Sequence, residues 1–262
     1  MNYKYKLGFI GCGNMAKAII NGLLDSKLLK AENMYISTPS ISRPYREISF
    51  TNNNQEILSS CEYVVLAVKP QIFKEISSNF VENKCKCVIS IMAGVNTDTI
   101  AKTCNCNQVI RIMPNTPCSI GEGVSAITSY NADAESDKFV ESIFATISKT
   151  VRVEEKYFDA VTSISGSGPA YVYYFIKAMI DGGVKGGLSF EQSKELTIST
   201  MIGASKMVAN SSEDLDVLIQ KVCSKGGTTI QAIDTFRGNS VEKSIIEGID
   251  KCRMRSEELS RS

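Results

Sequence analysis

Histidine is absent from the 262 residues. That removes the commonest general acid–base group and the commonest transition-metal ligand, so any chemistry must run on other side chains. An excess of charge of one sign is missing too. Twenty-nine basic against 28 acidic side chains leave a formal net charge of +1, which provides no broad electrostatic attraction to nucleic acid or to a membrane surface. Long hydrophobic runs are also lacking: stretches such as Tyr63 to Val68 and Tyr171 to Ile176 are far too short to span a bilayer, and no secretory signal precedes the first apolar run. The expectation is a soluble cytoplasmic protein with neither a nucleic-acid nor a membrane partner. Nine cysteines in such a chain read as reduced thiols. The pairs Cys85/Cys87 and Cys104/Cys106 lack the usual spacing of a zinc site and read as free cysteines at strand edges, so no metal is expected.

What is present begins with Tyr5 to Ile20. An apolar run of strand character ends in Gly11-Cys12-Gly13, and from Asn14 the residues Ala16, Ala18, Ile19, Leu23 and Leu24 follow at helical spacing. This is a strand, a tight turn and a helix. Gly11 permits the turn, Gly13 lets backbone amides approach a pyrophosphate, and Ala16 keeps helix and strand close. Phosphates would then lie at the positive end of the helix dipole.

Further strands are expected at Asn33 to Ser37, Tyr63 to Val68, Cys87 to Val95, Val109 to Pro114, Gly123 to Thr128 and Thr150 to Glu154, with helices at Gln55 to Ser60 and Ala134 to Ser148. The Tyr63 run is near-continuously apolar, as in strands buried on both faces of a parallel sheet. The second strand ends in Thr38-Pro39-Ser40, with Ser42 and Arg43 beyond. Hydroxyls and an arginine there, instead of a carboxylate, favour a 2′-phosphate and hence NADPH, with NADH as the alternative.

The α/β pattern stops near residue 160. The fold class is therefore α/β: a Rossmann-type dinucleotide-binding domain over 1–160, followed by an all-helical domain over 161–262. Helices are expected at Ala170 to Leu188, Phe190 to Ala209, Glu213 to Cys223, Thr228 to Phe236 and Val241 to Glu258. The first of these is apolar around much of its surface, and its glycines Gly182, Gly183, Gly186 and Gly187 call for close backbone packing or a bend. So small a domain cannot cover that helix alone. A second copy of the chain is expected to complete it, with the glycines at an interface, so the expected unit is a homodimer open to larger homo-oligomers.

Two glycine-rich stretches in this half read as ligand sites or as ordinary helix caps: Ser165-Gly-Ser-Gly-Pro-Ala-Tyr171 and Ser224-Lys-Gly-Gly-Thr-Thr-Ile230. The second is a glycine turn feeding a helix, which suits a carboxylate or phosphate.

These blocks, with Phe9-Ile-Gly-Cys-Gly-Asn-Met-Ala16, Leu66-Ala-Val-Lys-Pro70, Val109-Ile-Arg-Ile-Met-Pro-Asn-Thr-Pro117, Asp159-Ala-Val-Thr162 and Asp181-Gly-Gly-Val-Lys-Gly-Gly-Leu188, make the chain resemble the pyrroline-5-carboxylate reductases. The resemblance runs over nearly the whole chain in the family's order. It implies an NAD(P)H-dependent oxidoreductase that reduces L-1-pyrroline-5-carboxylate to L-proline, the last step of proline biosynthesis. It further implies cofactor contacts at Ile10, Gly11, Cys12, Gly13, Asn14, Met15, Thr38, Asn54, Val68, Lys69, Pro70 and Ala93. Substrate contacts are implied at Ser224, Gly226, Gly227, Thr228, Thr229 and Glu155, with Thr229 as the catalytic residue that hydrogen-bonds the ring nitrogen.

Lys225 departs from the family, which usually has proline there; it loosens the loop and adds a cation beside the carboxylate site. The missing histidine suits an imine, because a C=N protonated beforehand accepts hydride and yields a neutral amine without a further acid. Two other readings compete. A 3-hydroxyacid-type dehydrogenase would use a helix lysine, for which Lys177 is the formal candidate, and a non-catalytic NADP-binding sensor would need no small-anion turn.

Overall fold

Eight strands form one sheet in the order β3-β2-β1-β4-β5-β6-β7-β8: β1 (Tyr5–Ile10), β2 (Met34–Ser37), β3 (Ser49–Thr51), β4 (Cys61–Leu66), β5 (Cys87–Ser90), β6 (Val109–Met113), β7 (Gly123–Tyr130) and β8 (Ser148–Arg152). This computed structural model describes residues 3–39, 45–78, 80 and 82–261. All neighbouring pairs run parallel except β6 and β7. Parallel strands must be linked by crossovers, and right-handed crossovers deposit helices on both faces. One layer holds α1 (Asn14–Asp25) and α5 (Ala134–Ala145), burying Ile19, Ile20, Leu23, Val140, Ile143 and Phe144 against the sheet. The other holds α2 (Asn54–Ser60), α3 (Pro70–Ser77) and α4 (Thr97–Cys104), burying Ile57, Leu58, Phe73, Ile100 and Cys104. Strand order reverses between β1 and β4, and in such sheets the crevice at the carboxyl ends of those strands receives the ligand.

The structure divides the chain differently from the expected boundary at 160. One compact unit comprises residues 1–167 together with 252–262, and the other residues 168–251. The shift has a packing cause. α6 (Phe158–Val161) and the π-helical turn after it, Thr162–Gly166, bury Phe158 and Ser163 in the first unit. The side chains of Ser256 and Ser260 hydrogen-bond Asp159 there. Other boundaries also move: β4 ends at Leu66, β5 at Ser90 and α5 at Ala145, each short of its sequence-based limit, while β3 adds a strand that no periodicity announces.

The second unit is built from α7 (Gly168–Lys185), α8 (Phe190–Ala209), α9 (Leu215–Val222) and α10 (Thr228–Gly238), with α11 (Val241–Arg261) contributing as far as Lys251. α8 opens with a capping box: Ser189 accepts from the Gln192 amide and Gln192 accepts from the Ser189 amide. Two of the four glycines at the end of α7 and just after it, Gly183 and Gly187, have an explanation within one chain. A Cβ on Gly183 would run into Ser193 of α8, whose hydroxyl donates to the Ile180 carbonyl at 2.8 Å, and Gly187 adopts φ 100 just beyond the end of α7. Within the described residues of this unit only Ile180, Ser193 and Thr197 are buried, while Tyr174 is 75% and Tyr173 62% exposed. So large an uncovered apolar area is the mark of an association surface.

Candidate active site

β1 runs into Gly11, whose φ of 97 places it where side chains are strained. Its amide donates to the Ser37 carbonyl at 2.8 Å, and a Cβ there would lie 2.5 Å from the Ala67 carbonyl oxygen. Gly11 therefore closes the turn from β1 to α1 against both flanking strands. Gly13 differs: a Cβ on it would meet nothing within 4 Å. It is the N-cap of α1, makes no side-chain cap, and no acid occupies the first turn. A 12-residue helix thus presents its amino end with its dipole uncompensated by any carboxylate. Ile10, Gly11, Cys12, Gly13, Asn14 and Met15 line this end. The Cys12 thiol is half-buried, and burial raises its pKa against the opposing pull of Lys17.

At the end of β2 the backbone amide of Thr38 donates to Thr51, and Ser37 Oγ donates to Asn54 Oδ1 at 2.6 Å. Thr38 and Asn54 are thereby brought to one strand edge, with no carboxylate at the β2 terminus itself. Ser40, Ser42 and Arg43, the rest of the proposed 2′-phosphate site, lie outside the described residues. On the far side of the crevice, Val68, Lys69 and Pro70 lead from β4 into α3, with Lys69 as N-cap and Pro70 as the first helical residue. Ala93 stands in the loop after β5, next to Gly94 at φ 73. Pro70 and Ala93 share the wall of a cavity of about 670 Å³. These features fit a dinucleotide: an open glycine turn, an uncapped helix end, and a cavity beside the segments that follow β4 and β5.

Glu155, expected as a substrate contact, is hydrogen-bonded within the first unit. Its carboxylate accepts from the Thr97 amide at 2.7 Å, from Thr97 Oγ1 at 2.6 Å and from Arg111 Nη1 at 3.1 Å. Both oxygens are engaged within the protein. Arg111 is 5% exposed, lies over the Phe158 ring at 4.6 Å and leaves Nε without a partner. Burial pulls its pKa down, and Glu155 is the main opposing influence.

In the helical unit, Gly227 donates its amide to the Ser224 carbonyl at 2.9 Å, and Gly226 takes φ 71. Ser224, Lys225, Gly226 and Gly227 therefore form a hydrogen-bonded turn with its third residue left-handed, the form that takes glycine third and favours proline second. Gly227 is the N-cap of α10, again without a side-chain cap and without an acid in the first turn. The amides of Thr228 and Thr229 follow, and the Thr229 hydroxyl makes no hydrogen bond among the described residues. Like the start of α1, the turn is an anion-receptive helix end. Lys225 is exposed in the position that favours proline. Lys225→Pro is expected to raise stability by about 0.4–1 kcal/mol, by restricting the unfolded chain, and to leave kcat within twofold; thermal unfolding and steady-state kinetics on the same preparation check both.

Residues 6–94 match the family described as NADP oxidoreductase, coenzyme F420-dependent, and residues 155–259 match pyrroline-5-carboxylate reductase dimerisation. The chain is 35% identical to the pyrroline-5-carboxylate reductase of Escherichia coli, with 98% of this chain and 99% of that one covered. This chain belongs to the pyrroline-5-carboxylate reductase family. The soybean (Glycine max) reductase is 34% identical over 98% of this chain and 96% of its own length. A crystal structure of the Plasmodium falciparum pyrroline carboxylate reductase with NADP bound is similar at a TM-score of 0.88 and 32% identity, covering 99% of this chain and all of that one.

Lys177, the residue a hydroxyacid dehydrogenase would need, pairs with Asp181 at 2.6 Å on an exposed face of α7, and that partner raises its pKa. The cysteines pair across segments instead of within their short spacings: Cys85 and Cys106 bring their sulfurs to 4.0 Å, whereas Cys87 turns into the opposite layer. No group of three or more His, Cys, Asp or Glu that could hold a metal occurs among the described residues, and no helix among them is long and apolar enough to cross a membrane. Sequence reasoning passed over Arg111 and Asp159. Arg111 carried a signal, a cation inside an otherwise apolar strand, since arginine is rarely buried unless paired.

Proposed function

We infer that this chain reduces L-1-pyrroline-5-carboxylate to L-proline with NADPH as the donor, the last step of proline biosynthesis. The observation that carries the reading is the near-full-length identity to reductases of this name. The glycine turn and α1 of one unit and the Gly226–Thr229 turn of the other supply the anion-receptive ends that such a reaction needs.

When bound, NADPH supplies the hydride. The residues Gly11 to Met15 hold the pyrophosphate on backbone amides at the α1 terminus. Thr38 and Asn54 receive the adenosine end with its 2′-phosphate, and Val68, Lys69, Pro70 and Ala93 border the nicotinamide half. The Gly227 and Thr228 amides hold the substrate carboxylate, with Ser224 and Gly226 shaping the turn. Thr229 Oγ1 would accept a hydrogen bond from the N–H of the protonated imine and so fix the orientation of the ring. No protein acid has to deliver a proton, which suits a chain without histidine. The residues contribute positioning, worth up to about 7–11 kcal/mol in well-oriented systems. The enzyme acts as a cytoplasmic homo-oligomer built on a dimer of the helical unit, whose exposed apolar faces require cover.

The test is NADPH oxidation followed at 340 nm with pyrroline-5-carboxylate, repeated with NADH. Turnover that depends on the imine and is more efficient with NADPH is expected. NADPH binding without consumption would leave the sensor reading standing, and oxidation of 3-hydroxyacids with NADP would favour the dehydrogenase.

A further inference from the structure

We propose that the helical segment Glu155 to Asp159 is a clamp whose two carboxylates position the β5–α4 loop, residues 91–96, and through Ala93 set the nicotinamide half of the cofactor site. The proposal rests on the reading that NADPH binds along this crevice. It assigns Glu155 and Asp159 as positioning residues, since neither borders the cavity itself.

The loop is anchored on its first side by the sheet: the Ile91 amide donates to Leu66 at 3.2 Å and the Met92 amide to Ser90 Oγ at 3.3 Å. On its second side the local bonds are those of Asn96 to α4. Asn96 caps α4 through the Thr99 amide at 2.8 Å, which leaves the Thr97 amide as an orphan donor. Glu155 satisfies it and also takes the Thr97 hydroxyl, while its charge is balanced by buried Arg111. Four residues on, about one helical turn, Asp159 accepts from Ser256 Oγ at 2.6 Å and Ser260 Oγ at 3.3 Å. Those serines belong to the last turns of α11, and a Cβ on Gly94 would sit 3.4 Å from Ser260 Oγ. One carboxylate therefore fixes where the loop enters α4, and the other seats a helix end against its tip. Pro70, Ala93, Gly94, Asn96, Ser256 and Ser260 all border the same cavity. Carboxylates suit the task because each accepts several bonds at once, and bonds to an ionised acceptor are the shorter and stronger kind.

The experiment compares Glu155→Gln, Asp159→Asn and the double variant Ser256→Ala/Ser260→Ala with the parent as intact oligomers. Dissociation constants are measured for NADPH and for adenosine 2′,5′-bisphosphate, which has the adenosine end but no nicotinamide. Each variant is expected to weaken NADPH about tenfold, which is about 1.4 kcal/mol, and to leave the bisphosphate and the KM for pyrroline-5-carboxylate within twofold. Asp159→Glu, which keeps the charged acceptor, should recover part of the loss. A merely structural role would weaken both ligands together. A direct substrate contact by Glu155 would raise only the KM for the imine. Either result overturns the proposal, as does unchanged NADPH affinity in the serine variant should the acidic ones fail to fold. The binding constants stand apart from turnover, so a parent enzyme that binds NADPH but does not reduce this imine would count against the substrate assignment and leave the clamp to be judged on affinity.

Discussion

Gly13→Asp is expected to weaken NADPH binding by about 100-fold or more while leaving the thermal midpoint unchanged or slightly higher. The two halves of this outcome come from different physics. As a helix N-cap, aspartate is among the preferred residues, and replacing glycine with it changes stability by only a few tenths of a kcal/mol. The site accommodates it: Gly13 has φ −75 and ψ −174, open to any residue, and a Cβ would touch nothing within 4 Å. For a ligand the effect is opposite in sign. The carboxylate would stand at the end of α1, the proposed pyrophosphate site, satisfying the same amides and opposing the ligand's charge, and at partly desolvated separations near 4 Å one like-charge pair costs on the order of 4 kcal/mol. Fluorescence titration with NADPH alongside a thermal scan measures both. Loss of stability in step with affinity would mean that the glycine serves the fold. Gly11→Ala is the contrasting control, because its φ of 97 and the nearby Ala67 carbonyl make it a folding residue first.

Thr229→Ala is expected to lower kcat by about 10- to 100-fold, the worth of a hydrogen bond to a charged group, with NADPH affinity within twofold. Thr229 lies in the first turn of α10, where threonine is structurally replaceable: Gly227 is the cap and no side chain completes it. A hydroxyl with no internal partner among the described residues has no structural task that alanine would fail. Thr229→Ser keeps the oxygen and should retain most of the rate. Thr228→Ala contributes little by comparison, since its amide remains. Steady-state kinetics on the three variants decide the matter, and an alanine variant turning over at the parent rate would strike Thr229 from the mechanism.

Much of the chemistry was legible because it sits on contiguous runs. The strand, turn and helix from Tyr5 to Asp25 announce themselves by a change of hydrophobic period at two glycines, and the Gly226–Thr229 turn by glycines before a helical pattern. Helices α3 and α4 were passed over although Pro70 and Asn96 mark their starts; both are short, and their apolar residues span barely two turns. The three-residue β3 has no periodicity to read. The partners of Glu155, Thr97 and Arg111, lie 58 and 44 residues away. No local pattern encodes such a pairing.

The amino-acid sequence by itself determined the fold class, the two-part organisation, the dinucleotide turn and the absence of histidine chemistry, because each depends on residue type at short spacing. Only the tertiary structure decided which residues serve the site from behind it. It returned the last turns of α11 to the first unit, placed Ser193 where Gly183 leaves room, and engaged both oxygens of Glu155. Those outcomes depend on which distant donors find which acceptors once the sheet has closed, and a buried polar group takes whatever partner the packed fold brings within hydrogen-bonding distance.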